Sequence, residues 1–278
     1  MRPSVVIASY NEEAVIGRCL DALLAGAGPG GLDITVVANG CTDGTAAVAA
    51  ARPGVRVLER ARPGKAAALN AGDAAARGFP RFYLDADIVV PPGGIAALAA
   101  ALTTGGSPPL AVVPRRRLDL AGRPVPVRAF YAINGRLPAY DGALFGRGLI
   151  GVSAAGRARF AEFPDVIADD LFLDSQFAAA EKREVAAVEV AVGTPRRTRD
   201  LLRRLVRVRA GNAALRAGGP GQVRAAVRSS WLRDVVVPRP WLAPAAVCYV
   251  ALTVGAALLA RRRAGEVGWG RPSQAPMR

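Results

Sequence analysis

The sequence predicts an α/β fold in which a mostly parallel central sheet is flanked by helices and followed by a hydrophobic C-terminal helical segment. Three observations carry this prediction. Over the first hundred residues, short β-like apolar runs alternate with segments of helical period, the pattern of repeated βα units. Those runs stop on polar or glycine-containing turns, where open α/β sheets place their ligands. The chain has 278 residues, 51% of them hydrophobic and spread in periodic blocks, enough to bury a full core.

Residues 4–8 read as the first strand. Asn11, Glu12 and Glu13 then open a helix, with Asn11 as its cap and the two carboxylates at its positive end. Val15, Ile16, Cys19, Leu20, Leu23 and Leu24 recur at helical spacing and give this helix one buried face, with Cys19 a core residue. A breaker-rich loop at 26–31 leads to a second strand at 34–38, which ends in a polar turn over 39–45. That turn can be a helix entry capped by Thr42 or Asp43, or a base-binding loop at the sheet edge. A third strand at 55–58 precedes Gly64 and Lys65, and Lys65 opens a helix from which its ammonium can point at a phosphate or nucleobase.

The fourth strand, 81–84, stops on Asp85 and Asp87. Two hard oxygen ligands one residue apart suit Mg2+ or Mn2+ shared with nucleotide phosphates, whereas an Asx-type turn is the structural alternative. A helix at 94–102 and a strand at 110–114 continue the pattern, and residues 115–156 read as an irregular, basic, glycine-rich loop layer facing substrate. Asp169 and Asp170 precede an apolar helical run, a position that fits helix capping and a general base equally. Over 196–209, Arg203, Arg204, Arg207 and Arg209 are set among leucines and valines, an amphipathic basic helix suited to a diphosphate or an anionic bilayer. Residues 241–260 carry no charge and are bounded by Arg239 and by Arg261, Arg262 and Arg263. Spanning a membrane, lying in its interface and packing as a core helix all remain open, with membrane contact favoured by the flanking arginines.

Composition excludes several chemistries. There is no histidine, which removes Ser-His-Asp and Cys-His catalysis and histidine zinc sites, so acid or base work must run on carboxylates. Three scattered cysteines make neither a disulfide framework nor a metal cluster, and no apolar stretch of signal-peptide length precedes the first strand, so a cytoplasmic location is expected. The net charge of +15 is uneven: residues 1–110 hold 9 basic and 9 acidic side chains, and the whole excess lies beyond them. An anionic membrane or phosphate-bearing substrate fits this surface, and no nucleic-acid partner is expected, because zinc-finger spacing and base-stacking aromatic runs are lacking. No six-residue glycine-to-Gly-Lys frame and no G-x-G-x-x-G after the first strand are present, so a P-loop and a dinucleotide fold are disfavoured.

Taken together, four stretches resemble the inverting, GT-A-fold glycosyltransferase family 2. They are Val5-Val6-Ile7-Ala8-Ser9-Tyr10-Asn11-Glu12-Glu13 for the family's opening strand and YNEE turn, residues 38–45 for its DDGSTDGT loop, residues 64–72 for its GKxxALNxG helix, and residues 83–88 for its D-x-D strand. The resemblance covers about the first 215 residues. It implies a nucleotide-diphospho-sugar donor held by Ala8, Tyr10, Glu12, Asn39, Lys65 and Asp85, and a divalent metal (Mn2+ or Mg2+) held by Asp87 and Asp85. It also implies a catalytic base at Asp170 beside Asp169, which stands where the family has glutamate, and an acceptor or diphosphate contact at Arg207 and Arg209. Residues 1–110 would be the donor half, 111–215 the acceptor and catalytic-base half, and 216–278 a basic linker with a membrane-associating segment. The sequence departs from the family at Ala38-Asn39, where two carboxylates are usual, and at residues 206–210, where processive synthases carry QRxRW. The expected activity is therefore one sugar transfer to a hydroxyl acceptor, lipid-linked or anionic, at the inner face of the cell membrane. A sugar-phosphate nucleotidyltransferase and a non-catalytic basic module for membrane or nucleic acid are the alternatives.

Overall fold

A computed structural model describes residues 2–28, 31–165, 168–217 (side chains to 210) and 230–262 (side chains to 261). Part of the expected basic linker, the Arg263 flank, residues 29–30 of the first loop and residues 166–167 before Asp169 lie outside the described residues.

The first half is four βα units. They run β1 (Ser4–Ser9), α1 (Glu13–Ala25), β2 (Asp33–Asn39), α2 (Thr45–Ala50), β3 (Val55–Arg60), α3 (Lys65–Ala75), β4 (Arg81–Leu84) and α4 (Gly94–Ala101). The second half contributes β5 (Ala111–Asp119), α5 (Val125–Asn134), β6 (Leu149–Val152), α6 (Ala154–Arg157), α7 (Asp169–Ser175), β7 (Lys182–Gly193), α8 (Thr198–Ala217) and α9 (Ala243–Arg262). One seven-stranded sheet joins both halves in the order β3-β2-β1-β4-β6-β5-β7. Every pairing is parallel except those of β6, which runs against β4 and β5. The carboxyl ends of β1 to β4 and the amino end of β6 therefore meet at one edge.

Side-chain alternation sorts the strands' residues onto two faces. Val5, Ile7, Ile34, Val36, Phe82 and Leu84 pack under α1 and α4, against Ile16, Leu20, Leu23, Ile95 and Leu98. Val6 and Tyr83 point the other way, with Ala66 and Leu69 of α3 and Phe172 and Leu173 of α7. Each such buried aliphatic or aromatic side chain contributes about 1.5–3 kcal/mol relative to exposure. Tyr83 reaches through this second face to donate to Asp73 Oδ1 at 2.8 Å, where Arg81 also donates at 2.7 Å. Arg157 donates to the other oxygen of Asp73 at 2.7 Å, tying α6 to α3.

Two expectations are corrected, and one strand was not foreseen. Residues 115–156 are not a loop layer: they hold the end of β5, the whole of α5 and β6. Their glycines and arginines masked the period because β5 runs past a break in register between Pro114 and Arg115, where proline supplies no N–H to the ladder. β7, the longest strand at 12 residues, was not anticipated because exposed Glu184, Ala187 and Glu189 alternate with buried Val188 and Val190 over only part of its length. Asn11 does not cap α1. It sits at φ 52° and accepts from the Thr42 N–H at 2.8 Å, lacing two turns together instead.

The uncharged run forms a continuous helix. Pro244 falls in the first turn of α9, where its missing N–H would have had no helical partner. The segment Pro240–Arg261 has mean hydropathy 2.1 and is long and apolar enough to cross a membrane, with 11% of its apolar window buried. Its inner face packs on α5 and α8, Phe130 stacking on Tyr249 at 5.3 Å between centroids.

Candidate active site

The shared sheet edge is built from turns that fix one another. Glu12 donates its N–H to Thr45 Oγ1 at 2.8 Å and Glu13 donates its own to Asp43 Oδ2 at 3.2 Å. The Gly44 N–H donates back to Glu13 Oε2 at 3.0 Å, so the entries to α1 and α2 satisfy each other's free donors. Asp43, not Thr42, serves α2, accepting the Thr45 N–H at 3.1 Å. At the end of β2, Asn39 is fully buried and its Oδ1 accepts the Gly64 N–H at 3.1 Å, which places the start of α3. Asn39 thus acts on Lys65 through the backbone and does not border the cleft described next.

After β4 the chain alternates once more. Ala86 and Ile88 are buried, which turns Asp85 and Asp87 outward together. The Asp85 N–H donates to the Gly148 carbonyl at 2.8 Å and the Ile88 N–H to the Asp85 carbonyl at 3.1 Å, so the turn closes through backbone and leaves the Asp85 carboxylate to a side chain. Gly148 is required here. Its φ is +70°, and a Cβ would fall 2.5 Å from Ile88 and 3.4 Å from Asp85 Oδ2.

Opposite stand Asp169 and Asp170, in the first turn of α7 after Ala168. Asp170 Oδ2 accepts the Gly146 N–H at 3.0 Å, and its Oδ1 the Leu171 N–H at 2.8 Å. One turn on, buried Asp174 accepts from the Leu144 N–H at 2.8 Å and from Lys182 at 2.7 Å, fixing the helix to the β6 approach and to β7. Lys65 joins the two walls: its ammonium lies 3.3 Å from Asp85 and 3.1 Å from Asp169. The enclosed cleft, about 130 Å3, is bordered by Ala8, Lys65, Asp85, Asp87, Asp169 and Asp170, with Arg204 of α8 at its rim. Of the α8 arginines it is Arg204 that borders the cleft, not Arg207 or Arg209. A larger groove of about 910 Å3 lies between β5 and α5, but Arg116, Arg117, Arg128 and Arg136 line it without a carboxylate, so it lacks groups for acid or base work.

The electrostatics follow from crowding. Burial, then Asp87, Asp85 and Asp43, push the Glu12 carboxyl up to about 7. Its recessed setting and then Asp85 raise the Asp87 carboxyl, with Arg204 and Lys65 opposing. Burial would pull the Lys65 ammonium down, but Asp169, Asp85 and Asp170 outweigh it and hold it well above its ordinary value. Burial raises Asp169 as well, held back by Lys65. The site is thus short of positive charge. Among the described residues no group of three or more His, Cys, Asp or Glu could hold a metal ion. The adjacent pair Asp85 and Asp87 still suits a hard divalent cation whose remaining ligands are phosphate and water, and such a cation would relieve the strain on Asp87 and Glu12.

Residues 4–129 match the Glycosyl transferase family 2 model. This stretch is a glycosyltransferase family 2 domain. No curated protein sequence matches the chain at a significant level. Among solved structures, mannosyltransferase PcManGT from Pyrobaculum calidifontis, in complex with GDP-Man and Mn2+, is 24% identical, with 94% of this chain and 79% of that one covered and a TM-score of 0.59. Glucosyl-3-phosphoglycerate synthase from Mycobacterium tuberculosis, in complex with UDP, is 25% identical over 79% of this chain and 81% of that one, with a TM-score of 0.57. TarS 1–349 from S. aureus is 19% identical and covers 76% of this chain, with a TM-score of 0.54; the chain spans 64% of that structure's length. The sheet that carries the family 2 domain is accordingly a GT-A fold, extended past the matched residues by β6, α7, β7 and α8.

Proposed function

We propose that the protein is a metal-dependent, inverting glycosyltransferase that moves one sugar from a nucleotide-diphospho-sugar to a hydroxyl acceptor, lipid-linked or anionic, at the cytoplasmic face of a membrane. The observation that carries this reading is the meeting of two carboxylate pairs in one cleft, Asp85 and Asp87 from the family 2 domain and Asp169 and Asp170 from α7, bridged by Lys65. Solved structures of this fold hold GDP-Man with Mn2+, or UDP.

In this reading Asp87 and Asp85 hold Mn2+ or Mg2+, which when bound supplies positive charge against that developing on the leaving nucleoside diphosphate. Ala8, Tyr10 and Glu12 border the nucleotide at the ends of β1 and its turn, and Asn39 sets the register of Lys65. Lys65 and Arg204 add fixed positive charge beside the diphosphate, the kind of preorganised stabilisation that is usually the largest catalytic contribution. Asp170, aimed by the Gly146 N–H, takes the acceptor hydroxyl proton on a carboxylate oxygen as that hydroxyl attacks the anomeric carbon from the face opposite the leaving group. Asp169, ion-paired to Lys65, positions that ammonium. Arg207 and Arg209 follow Arg204 on α8 as contacts for an anionic acceptor. Residues 1–110 serve the donor, 111–215 the acceptor and base, and the chain beyond 216 the membrane.

The test is melting temperature against a panel of UDP- and GDP-sugars with and without Mn2+. A ligand that binds the folded state at 100 times its Kd stabilises by about 2.7 kcal/mol, so a donor raises the melting temperature by several degrees, and only with the metal. No shift with any donor would remove the reading, and pyrophosphate release from a nucleoside triphosphate would replace it with a nucleotidyltransferase.

A further inference from the structure

α9 has two unlike faces. Ala246 and Ala256 are buried, and Tyr249 and Leu252 pack among Val127, Phe130 and Leu201 of α5 and α8. On the other side Val247, Val254 and Leu258 are 71%, 51% and 53% exposed, and Trp241 at the amino end is 72% exposed. Positions 247, 254 and 258 are separated by seven and four residues, so they form one continuous stripe along the helix. Val237, just before the helix, extends the apolar surface at 66% exposed.

Packing rules out the simplest way for such a helix to meet a bilayer. α5 and α8 lie along it, and they carry Arg128, Arg203, Arg204, Arg207 and Arg209. If α9 crossed the hydrocarbon while keeping these contacts, those guanidinium groups would be drawn toward it, where charges are costly. Lying in the interface plane instead wets only the outer stripe and leaves the packed face as it is.

Charge identifies what covers the stripe. Residues 235–261 contain no aspartate or glutamate, and Arg239 and Arg261 stand at the two ends. A second copy paired two-fold through this stripe would bring Arg239 of each chain toward Arg261 of the other, with no acid on the helix to answer them. Anionic lipid headgroups answer both, and an interfacial tryptophan suits the same boundary.

We propose that α9 docks the protein in plane on an anionic bilayer, burying Trp241, Val247, Val254 and Leu258 in the interfacial layer of one leaflet with Arg239 and Arg261 at the headgroups. The proposal rests on the membrane location given above and is independent of sugar transfer. It is tested with the full chain on phosphatidylcholine vesicles with and without 30% phosphatidylglycerol. Co-sedimentation is expected with the anionic vesicles and at least tenfold weaker with phosphatidylcholine alone. The triple variant Val247→Ser, Val254→Ser, Leu258→Ser should weaken binding at least tenfold while keeping its melting temperature and donor binding. The double variant Arg239→Gln, Arg261→Gln, which leaves the apolar stripe whole, should weaken it severalfold at low salt.

Tags placed before Met1 and after Arg278 should both be digested on the same vesicle face. Tags on opposite faces, or unchanged binding in both variants, would overturn the proposal. So would a concentration-dependent dimer that the triple variant abolishes without loss of vesicle binding. If donor binding fails while vesicle binding and its loss in the variants hold, the transfer reading falls and the docking stands.

Discussion

The two walls of the cleft are made in different ways. Asp85 and Asp87 leave the end of a buried parallel strand, so their direction is fixed by β-sheet alternation and by one backbone bond to Gly148. Asp169 and Asp170 ride on a seven-residue helix whose place depends on distant partners: the Leu144 and Gly146 amides, Lys182, and the reciprocal bonds between Asn70 and the Phe163 backbone. Antiparallel β6 makes the meeting feasible, because its amino end brings the loop at 143–148 to the same edge as the carboxyl ends of its parallel neighbours. A wall set by register tolerates change elsewhere in the molecule; a wall set by a few side chains fails when one of them is removed.

Four measurements break or sharpen that contrast. The largest effect is expected at Asp170→Asn: turnover falls on the order of 10²–10⁴-fold, the usual contribution of a positioned base, while the donor-induced melting shift survives. Loss of donor binding in this variant would mean the walls are not separable. Asp87→Ala should do the reverse, lowering turnover on the order of 10²–10³-fold as a lost electrostatic stabiliser does, and abolishing the Mn2+-dependent melting shift. Asp174→Ala strips the partner from buried Lys182 and frees α7. It should cost about 3–5 kcal/mol in chemical denaturation and reduce turnover without touching Asp169 or Asp170. A stable Asp174→Ala protein would show that the wall of Asp169 and Asp170 is held by something other than these bonds.

The smallest effect concerns Glu12. Its folded-state carboxyl titrates near 7, above the unfolded value of 4.5, so the folded state holds the proton more tightly. Stability is therefore unaffected by this group below about 4.5, declines as pH rises from there to about 7, and stays lower above that. Melting curves across this window should show the decline in the wild type and a flatter profile in Glu12→Gln, and Mn2+ should flatten the wild type too if it binds beside Asp87.

The wall of Asp85 and Asp87 is legible in the sequence because strand ends announce themselves. The run from Phe82 to Leu84 halts on two carboxylates, and Lys65 follows a glycine at a helix start. Those signals lie within a few residues of one another. The wall of Asp169 and Asp170 is legible only as a pair of acids before an apolar run, with capping equally open, since nothing near Asp170 in sequence says that Gly146 will face it. Arg204 could not be told from Arg207 and Arg209 along one basic helix; which of them borders the cleft is decided by how α8 packs on α5 and α9. Asn39 holds a second function that its place at the end of β2 does not announce: its oxygen accepts the Gly64 amide. β7 escaped notice because an edge strand exposes much of both faces.

The joining of the two walls has an electrostatic consequence at two distances. Around the cleft, Glu12, Asp85, Asp87, Asp169 and Asp170 outnumber Lys65 and Arg204, although the chain as a whole carries +15. Beyond the screening length of about 8 Å at physiological ionic strength, an approaching anion meets little of either charge set; closer in, the arginine-rich exterior draws it on. At the cleft four carboxylates face two cations, so the local charge opposes a bare polyphosphate. In the proposed reading, a cation carried in with the polyphosphate offsets that excess of carboxylates.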